Sequence, residues 1–251
     1  MHDHPVFGTL LIAWTSVGVL ACLALWRTNA PYGRFERPGW GPRLPPRLAW
    51  LFMESPGAII FAAVLLASLP VPPVPALFGA LWLVHYLYRG FLYPLLLRST
   101  RPVPVTIVVS AIGFHAANAT LQAWALYRVR PDRSVLWLTD PRFLAGLVLF
   151  ACGFATAAWA DRHLRHLRAG PGPQYRVPGG GLFEYVSCPN YLGEIVEWTG
   201  WAILTWTWAG AAFAFWTVAN LLPRAVALHR WYREHFPDYP AGRKALVPRL
   251  L

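Results

Sequence analysis

Residues 7–26 read FGTLLIAWTSVGVLACLALW, a run of 20 residues without a charged side chain. The hydrocarbon core of a bilayer is about 30 Å thick, and an α-helix needs about 20 apolar residues to cross it. This run therefore predicts a membrane-spanning helix. The preceding Met-His-Asp-His-Pro lacks the positive region of a signal peptide, so we expect the helix to be retained.

The composition agrees with a membrane protein. Of 251 residues, 56% are hydrophobic and 13% are charged, whereas a soluble domain carries about 25% charged residues. The 14 Trp suit a membrane interface. High hydrophobicity excludes a disordered chain. The three cysteines, Cys22, Cys152 and Cys188, are too few and too widely spaced for a disulfide scaffold.

Three more charge-free stretches occupy residues 104–127, 143–160 and 198–223. The first two each fit one helix. The third is too long for one, so we interpret it as parts of two helices, roughly 190–206 and 211–235, with a turn between them.

Two further apolar segments carry one charge each. Residues 48–69 contain Glu54, and residues 76–97 contain Arg89. The Pro-rich link LPVPPVP at 69–75 cannot continue a helix. The sequence thus predicts an all-α integral membrane protein with seven transmembrane helices in a single domain, 1–251.

The distribution of basic residues predicts the orientation. The net charge is +11, and 18 of the 22 Lys and Arg fall on the side of the odd connections and the C-terminal tail. By the positive-inside rule, the C-terminus is cytoplasmic and the N-terminus is outside. Because the charge is explained by topology, nucleic acid is not an expected partner.

Polar residues within the predicted helices are candidates for function, because a carboxylate in hydrocarbon is unfavourable. Glu54 is the foremost, with an interfacial acid paired to an arginine as the alternative. Glu194 and Glu197 share one helix face, with salt-bridged helix-end residues as the alternative. Tyr86 and Arg89 also share a face; a tyrosine belt would explain the first but not the second.

The basic residues of the predicted loops suggest that these loops bind an anionic ligand. Of 22, 21 are Arg, which binds phosphate through two parallel hydrogen bonds; contact with anionic lipid is the alternative. The segment around Gly179 is not a dinucleotide fingerprint. His163 and His166 are surrounded by arginines, so no metal site is expected. A lipophilic substrate from the bilayer and a phosphorylated cofactor from the cytoplasm would suit this pattern.

Four motifs go further. They are AWLFMESP at 49–56, VHYLYR at 84–89, GGLFEYVSCPNYLGEIVEWTGWA at 180–202 and YREHFPDYPAGRKALVP at 232–248. In this order, from about Tyr32 to the end of the chain, they resemble the steroid 5α-reductase (3-oxo-5α-steroid 4-dehydrogenase) family, with the family's C-terminal motif region at about 145–251. The arginine bias suggests a GC-rich bacterial source and hence the inner membrane; a eukaryotic protein would lie in the endoplasmic reticulum.

The resemblance implies a seven-helix enzyme that uses NADPH to reduce the C4=C5 double bond of 3-oxo-Δ4 steroids. It implies that Glu54 and Tyr86 are catalytic and hold the 3-keto oxygen, and that Trp50 lines the substrate pocket. Glu197 is matched without a defined role. The partners implied are a steroid-like substrate and membrane lipids, with the protein a monomer. The residues implied in cofactor binding are Tyr32, Arg89, Arg101, Asp161, Arg168, Tyr175, Asn190, Glu194, Arg224, Tyr232 and Arg243.

Three positions depart from the animal enzymes of that family. Ala157 stands in place of an Asn, Leu228 in place of a His and Ser110 in place of an Arg, so substrate preference is open. Three alternatives to steroid reduction also remain. They are reduction of a polyprenoid or enoyl thioester, methyl transfer from S-adenosylmethionine, and lipid binding without catalysis.

Overall fold

The computed structural model describes residues 5–98, 101–167 and 176–251. Two of the expected cofactor residues, Arg168 and Tyr175, lie outside this range. The described residues form two compact units. The first contains 5–13, 30–98, 101–144 and 207–210, and the second contains 14–29, 145–167, 176–206 and 211–251.

The described part of the chain is mostly helical. Its helices are α1 (Pro5–Arg27), α2 (Pro46–Ala67), α3 (Pro73–Leu87), α4 (Tyr93–Leu96), α5 (Val105–Trp124), α6 (Pro141–Leu167), α7 (Pro189–Thr205) and α8 (Trp208–His235). A π-helical turn, Tyr88–Leu92, joins α3 to α4, and another, Ala125–Val129, extends α5. Strands β1 (Arg43–Leu44) and β2 (Val103–Pro104) form one short antiparallel pair.

Helix boundaries follow local sequence signals. α2, α3 and α7 begin with a proline, whose fixed φ suits the first helical turn and whose missing N–H is not needed there. The predicted break in the Pro-rich link is confirmed between Ala67 and Pro73. The turn predicted within 198–223 is confirmed too. There α7 ends at Thr205, and its C-cap residue Trp206 adopts the left-handed conformation, with φ 47°.

Five described helical segments are long and apolar enough to cross a membrane: Pro5–Arg27, Pro46–Ala67, Val105–Val129, Pro141–Leu167 and Trp208–His235. They lie where the charge-free or nearly charge-free stretches predicted spans. The remaining two predicted segments, 76–97 and 190–206, are also helical, as α3 with its continuation and as α7. An all-α, multi-pass membrane architecture therefore agrees with both patterning and structure.

In the first unit, α2 packs chiefly against α5 and also against α3. A buried cluster at one end of the α2–α5 contact comprises Ala49, Met53, Val103 and Val108, with Tyr32 and Trp50 among the half-buried residues packed on it. This packing holds the Glu54 turn of α2 against the middle of α5.

In the second unit, α6 and α7 approach at backbone distance. A Cβ added to Gly153 would clash with the backbone nitrogen of Glu197, and one added to Gly200 would clash with that of Phe150. Small residues permit such contact between membrane helices, where close van der Waals packing drives association. The motif helix α7 is thus fixed along α6.

Candidate active site

Glu54 is a buried carboxyl group with a different partner at each oxygen. It is 8% exposed. Its Oε1 lies 3.6 Å from Nη2 of Arg89, and its Oε2 lies 3.4 Å from Nε2 of His115. The arginine partner considered as the alternative for Glu54 is therefore present. The carboxyl group is also enclosed by protein.

Arg89 is placed by the π-helical turn Tyr88–Leu92. Such turns are frequent at functional sites because they re-aim side chains within a helix. The guanidinium lies over two aromatic rings, 5.2 Å from the centroid of Trp50 and 4.7 Å from that of Tyr93. Cation–π attraction stabilises the charge in a partly dry site. Of the two residues predicted to share a face, Tyr86 lies on α3 and Arg89 lies in the π-helical turn, where it contacts Glu54.

Tyr86 is 1% exposed and is held by rings on several sides. Its ring centroid lies 4.7 Å from that of Trp82 and 5.5 Å from that of His115, the latter pair edge to face. The ring also lies so close to Gly57 of α2 that a Cβ there would clash with it. The phenol is thereby fixed in the same unit as Glu54.

His115 is a site residue that the sequence interpretation missed. Histidine does not interrupt a charge-free stretch, so it passed as part of an apolar helix. A usable signal was its spacing, because His115, Asn118 and Gln122 recur at i, i+3 and i+7 and so share one face. We call Glu54, Tyr86, Arg89 and His115 the Glu54 cluster.

Two other predicted residues of the first unit, Tyr32 and Arg101, lie outside the Glu54 cluster. Tyr32 packs against that cluster. Arg101 donates from Nη1 to the carbonyl oxygen of Gly33, at 3.3 Å, and so ties the loop after Tyr32 to the segment before β2.

In the second unit, α6, α7 and α8 bring together a group of predicted polar residues. Asn190 donates from Nδ2 to Oδ1 of Asp161, at 3.3 Å. Arg224 donates from Nε to the hydroxyl oxygen of Tyr191, at 3.1 Å. Glu194 follows Asn190 by one helical turn on α7. Amide, carboxyl and guanidinium groups thus occur together in this unit.

The C-terminal segment supplies a buried cation to the same unit. Arg243 is 3% exposed and donates from Nη1 to the carbonyl oxygen of Pro178, at 2.9 Å. Its guanidinium lies 5.0 Å from the ring centroid of Tyr239, which stacks on Tyr232 at 5.4 Å. Its buried Nε has no hydrogen-bond partner in the described part of the chain, and a guanidinium donor of this kind can bind an anionic ligand.

A hydrogen-bond network explains why this segment is held. Ser187 contacts Nδ1 of His229 at 2.7 Å and the hydroxyl of Tyr239 at 2.6 Å. Its Oγ also donates to the carbonyl oxygen of Lys244 at 3.0 Å. Because Ser187 and Tyr239 belong to different motifs, this network joins them.

The three departures lie on helices and contact neighbouring residues. Ser110 donates to the carbonyl oxygen of Thr106 within α5, at 2.8 Å. Ala157 faces Gly193 where α6 and α7 approach. Leu228 packs on the buried cluster of Cys188, Ala225 and Leu246. Glu197, matched without a role, is fully buried on α7.

Among the described residues, no group of three or more His, Cys, Asp or Glu side chains could hold a metal ion. What they offer is a buried carboxyl group and a buried phenol in one unit, and buried guanidinium groups in the other. The first suits a polar atom of an apolar ligand, and the second suits phosphate.

Known proteins give this arrangement a context. A sequence model described as 3-oxo-5-alpha-steroid 4-dehydrogenase matches residues 101–251. The chain is 41% identical over 252 residues to "Steroid 5-alpha-reductase DET2" of Gossypium hirsutum, covering 98% of each protein. It is 40% identical over 254 residues to "3-oxo-5-alpha-steroid 4-dehydrogenase 1" of Homo sapiens, covering 99% of this chain and 96% of that protein. These relatives are plant and animal proteins, so they lend no support to a bacterial source.

Proposed function

The chain belongs to the steroid 5α-reductase (3-oxo-5α-steroid 4-dehydrogenase) family, and on that premise we propose that it reduces the C4=C5 double bond of 3-oxo-Δ4 steroids with NADPH. The observation that carries the proposal is the Glu54 cluster. It places a buried carboxyl group and a buried phenol in one unit of an apolar helical protein. A steroid enone needs such a site, because its single ketone requires polar partners within apolar surroundings.

The side chains of the second unit fit a phosphorylated nicotinamide cofactor. Arg224 and Arg243 are buried guanidinium groups, and Nε of Arg243 has no hydrogen-bond partner in the described part of the chain. Guanidinium groups bind phosphate oxygens in paired hydrogen bonds. We propose that these arginines bind the cofactor's phosphates and that Asn190 and Glu194 bind its nicotinamide end.

The other expected cofactor residues keep that proposed role by family resemblance. In the first unit these are Tyr32, Arg89 and Arg101. In the second they are Asp161 and Tyr232, together with Arg168 and Tyr175, which lie outside the described residues.

The Glu54 cluster would act on the substrate's carbonyl group. When bound, the reduced nicotinamide supplies the hydride that adds to the enone β-carbon. Negative charge then develops on the 3-oxygen, and hydrogen-bond donors aimed at that oxygen lower the barrier. The Tyr86 hydroxyl donates there. Glu54 either donates its own proton or, when ionised, orients Tyr86. The resulting enolate then takes a proton at C4 from water, which completes the reduction of the double bond. Trp50, at the edge of the cluster, lines the apolar pocket.

The test is turnover by the purified protein in detergent or nanodiscs. With NADPH and testosterone or progesterone, we expect the 5α-product, identified by liquid chromatography and mass spectrometry. Glu54→Gln and Tyr86→Phe should each lower kcat by about a hundredfold or more, because each removes a group at the developing charge. The exposed residues Glu234 and Tyr185 provide matched controls, Glu234→Gln and Tyr185→Phe, which should leave turnover unchanged.

Other results would redirect the assignment. Product from a polyprenoid or enoyl thioester, with none from any 3-oxo-Δ4 steroid, would mean that the family's chemistry serves another lipid. Binding of S-adenosylmethionine without affinity for NADPH would overturn reduction altogether. Wild-type turnover in both Glu54→Gln and Tyr86→Phe would contradict the assigned mechanism.

We further propose a single seven-helix membrane domain over 1–251, with the N-terminus outside and the C-terminus in the cytoplasm, acting as a monomer. Five helices of suitable length and composition and the one-sided distribution of basic residues support this topology. The membrane lipids around it are its other partners.

A further inference from the structure

His115 lies on α5 with its Nε2 close to the Glu54 carboxyl group of α2. Nε2 is 3.4 Å from Oε2, and the two side chains are only 12% and 10% exposed. The other carboxyl oxygen, Oε1, faces Arg89 of the π-helical turn at 3.6 Å. Glu54 is thus approached at one oxygen by a guanidinium and at the other by an imidazole.

The tautomer of His115 follows from this geometry. A carboxyl oxygen accepts hydrogen bonds, so the contact is favourable when Nε2 carries the hydrogen. In the neutral ring, Nδ1 is then the acceptor. That atom is buried and has no hydrogen-bond partner among the described residues. A buried ring nitrogen without a partner is unfavourable, so apolar packing alone does not account for a histidine here.

Ring packing alone does not require a histidine at position 115. The imidazole meets the Tyr86 ring edge to face, with centroids 5.5 Å apart. A phenylalanine could make the same contact without a polar atom to bury. What only the imidazole provides is the Nε2 hydrogen beside Glu54.

We propose that His115 is a positioning residue for Glu54. Its Nε2–H donates to Oε2 and fixes the plane of the carboxyl group, while Arg89 holds the side of Oε1. His115 therefore acts on the substrate's carbonyl group through Glu54. The mechanism does not require His115 to contact the substrate. This inference rests on the proposed function, because it assigns Glu54 to the carbonyl of an enone.

A matched pair of amides tests the donor directly. The amide of His115→Gln reaches the position of imidazole Nε2, whereas that of His115→Asn reaches only that of Nδ1. Both are polar and uncharged, so they differ mainly in reach. We expect His115→Gln to keep kcat within a few-fold of the wild type. His115→Asn and His115→Phe should lose about ten- to a hundredfold in kcat, the range for a hydrogen bond to a charged group.

The split between kinetic constants separates positioning from general damage. KM for the steroid should change by less than about threefold in all three variants, because an interaction made only in the transition state changes kcat rather than binding. Thermal melting and NADPH affinity should match the wild type. If one of the amide variants melts early, the loss of kcat in His115→Phe still tests the role of the Nε2 hydrogen. If His115→Phe melts early, the comparison of kcat between the two amide variants tests it.

A double-mutant cycle tests the route of the effect. If His115 acts through Glu54, His115→Asn should have little further effect on kcat in the Glu54→Gln background, since residues that act through one another are not additive. Full additivity of the two losses would overturn the proposal, as would His115→Gln and His115→Asn with equal activity.

A readout without turnover separates this inference from the proposed function. The infrared bands of the Glu54 carboxyl group are those lost in Glu54→Gln, and they should shift in His115→Asn but much less in His115→Gln. If the infrared bands shift in His115→Asn but the wild-type protein reduces no steroid, the proposed function fails and the His115–Glu54 hydrogen bond stands. Unshifted bands with normal steroid turnover in His115→Asn would sink the His115 proposal alone.

Discussion

Single residues set the position of Tyr86. Its ring packs against Trp82, whose indole Nε1 donates to the carbonyl oxygen of Gly57 at 2.9 Å. The same Gly57 leaves room for the Tyr86 ring. One glycine in α2 thus fixes both rings, although it has no chemistry of its own.

A methyl group at position 57 should therefore disturb catalysis. In Gly57→Ala, the Cβ would overlap the Tyr86 ring, so the ring must shift and its hydroxyl with it. A misplacement of about 1 Å can lower turnover by about a hundredfold, and we expect a loss of that order in kcat for steroid reduction. Steady-state kinetics with NADPH measure it.

Gly113→Ala is the matched control for this change. Gly113 is also a helix-interior glycine of the first unit. Apart from its chain neighbours and the backbone of its own helix, no described heavy atom lies within 4 Å of the Cβ it would gain. Alanine favours a helix by about 1 kcal/mol over glycine, so this variant should be fully active and no less stable. Equal turnover in Gly57→Ala and Gly113→Ala would contradict the role assigned to the Gly57 contact.

At the level of elements, α6 begins with a cap that the sequence analysis did not identify. Asp140 precedes Pro141, and its Oδ1 accepts from the backbone N–H of Arg142 at 2.8 Å. The Arg142 guanidinium donates to the same carboxylate from Nε and Nη2, at 2.9 and 2.7 Å. These side-chain hydrogen bonds lower the pKa of Asp140 from 3.8 to about 2.

The pH dependence of this cap follows from the direction in which the pKa of Asp140 is shifted. Because the pKa is lower in the folded state, the carboxylate stabilises the fold fully above its unfolded value of 3.8, and this is lost as pH falls through about 2. Asp140→Ala should therefore melt below the wild type at neutral pH, by a small margin for an exposed site. The difference should shrink only below about pH 4.

Asp140→Asn separates the cap from the charge. Asparagine caps helices about as well as aspartate but does not titrate, so its melting temperature relative to Asp140→Ala should stay constant with pH. Melting curves in detergent from pH 7 to pH 3 provide both comparisons. A difference between wild type and Asp140→Ala that stays constant down to pH 3 would show that the carboxylate contributes no charge-dependent stability.

At the level of the whole molecule, topology can be tested by labelling. Ser134 and Gly242 are both exposed in the structure and lie in connections predicted on opposite sides of the membrane. With Cys22 and Cys152 replaced by serine and buried Cys188 retained, Ser134→Cys should react with a membrane-impermeant maleimide in intact bacterial expression cells. Gly242→Cys should react only after lysis. Reaction of both in intact cells, or the reverse order, would contradict the proposed orientation.

The helical segments, the family and the position of one unusual acid were predictable from the sequence. Gaps between charged residues located the helices, because hydrocarbon excludes charge over a length that one helix spans. The motifs at 49–56, 84–89, 180–202 and 232–248 resembled the family that the comparisons then established. Glu54 stood out because an acid in an apolar helix needs a reason.

Only the tertiary structure decided which side chains contact one another. The sequence could not pair Glu54 with His115, because residues far apart in sequence meet only through the packing of α2 on α5. Nor could it place Arg89 over Trp50 and Tyr93, which depends on a π-helical turn. Charge and hydropathy patterns determine which segments enter the membrane, since each segment meets lipid independently. The contacts between side chains depend on how the helices pack, and that packing is a property of the folded chain.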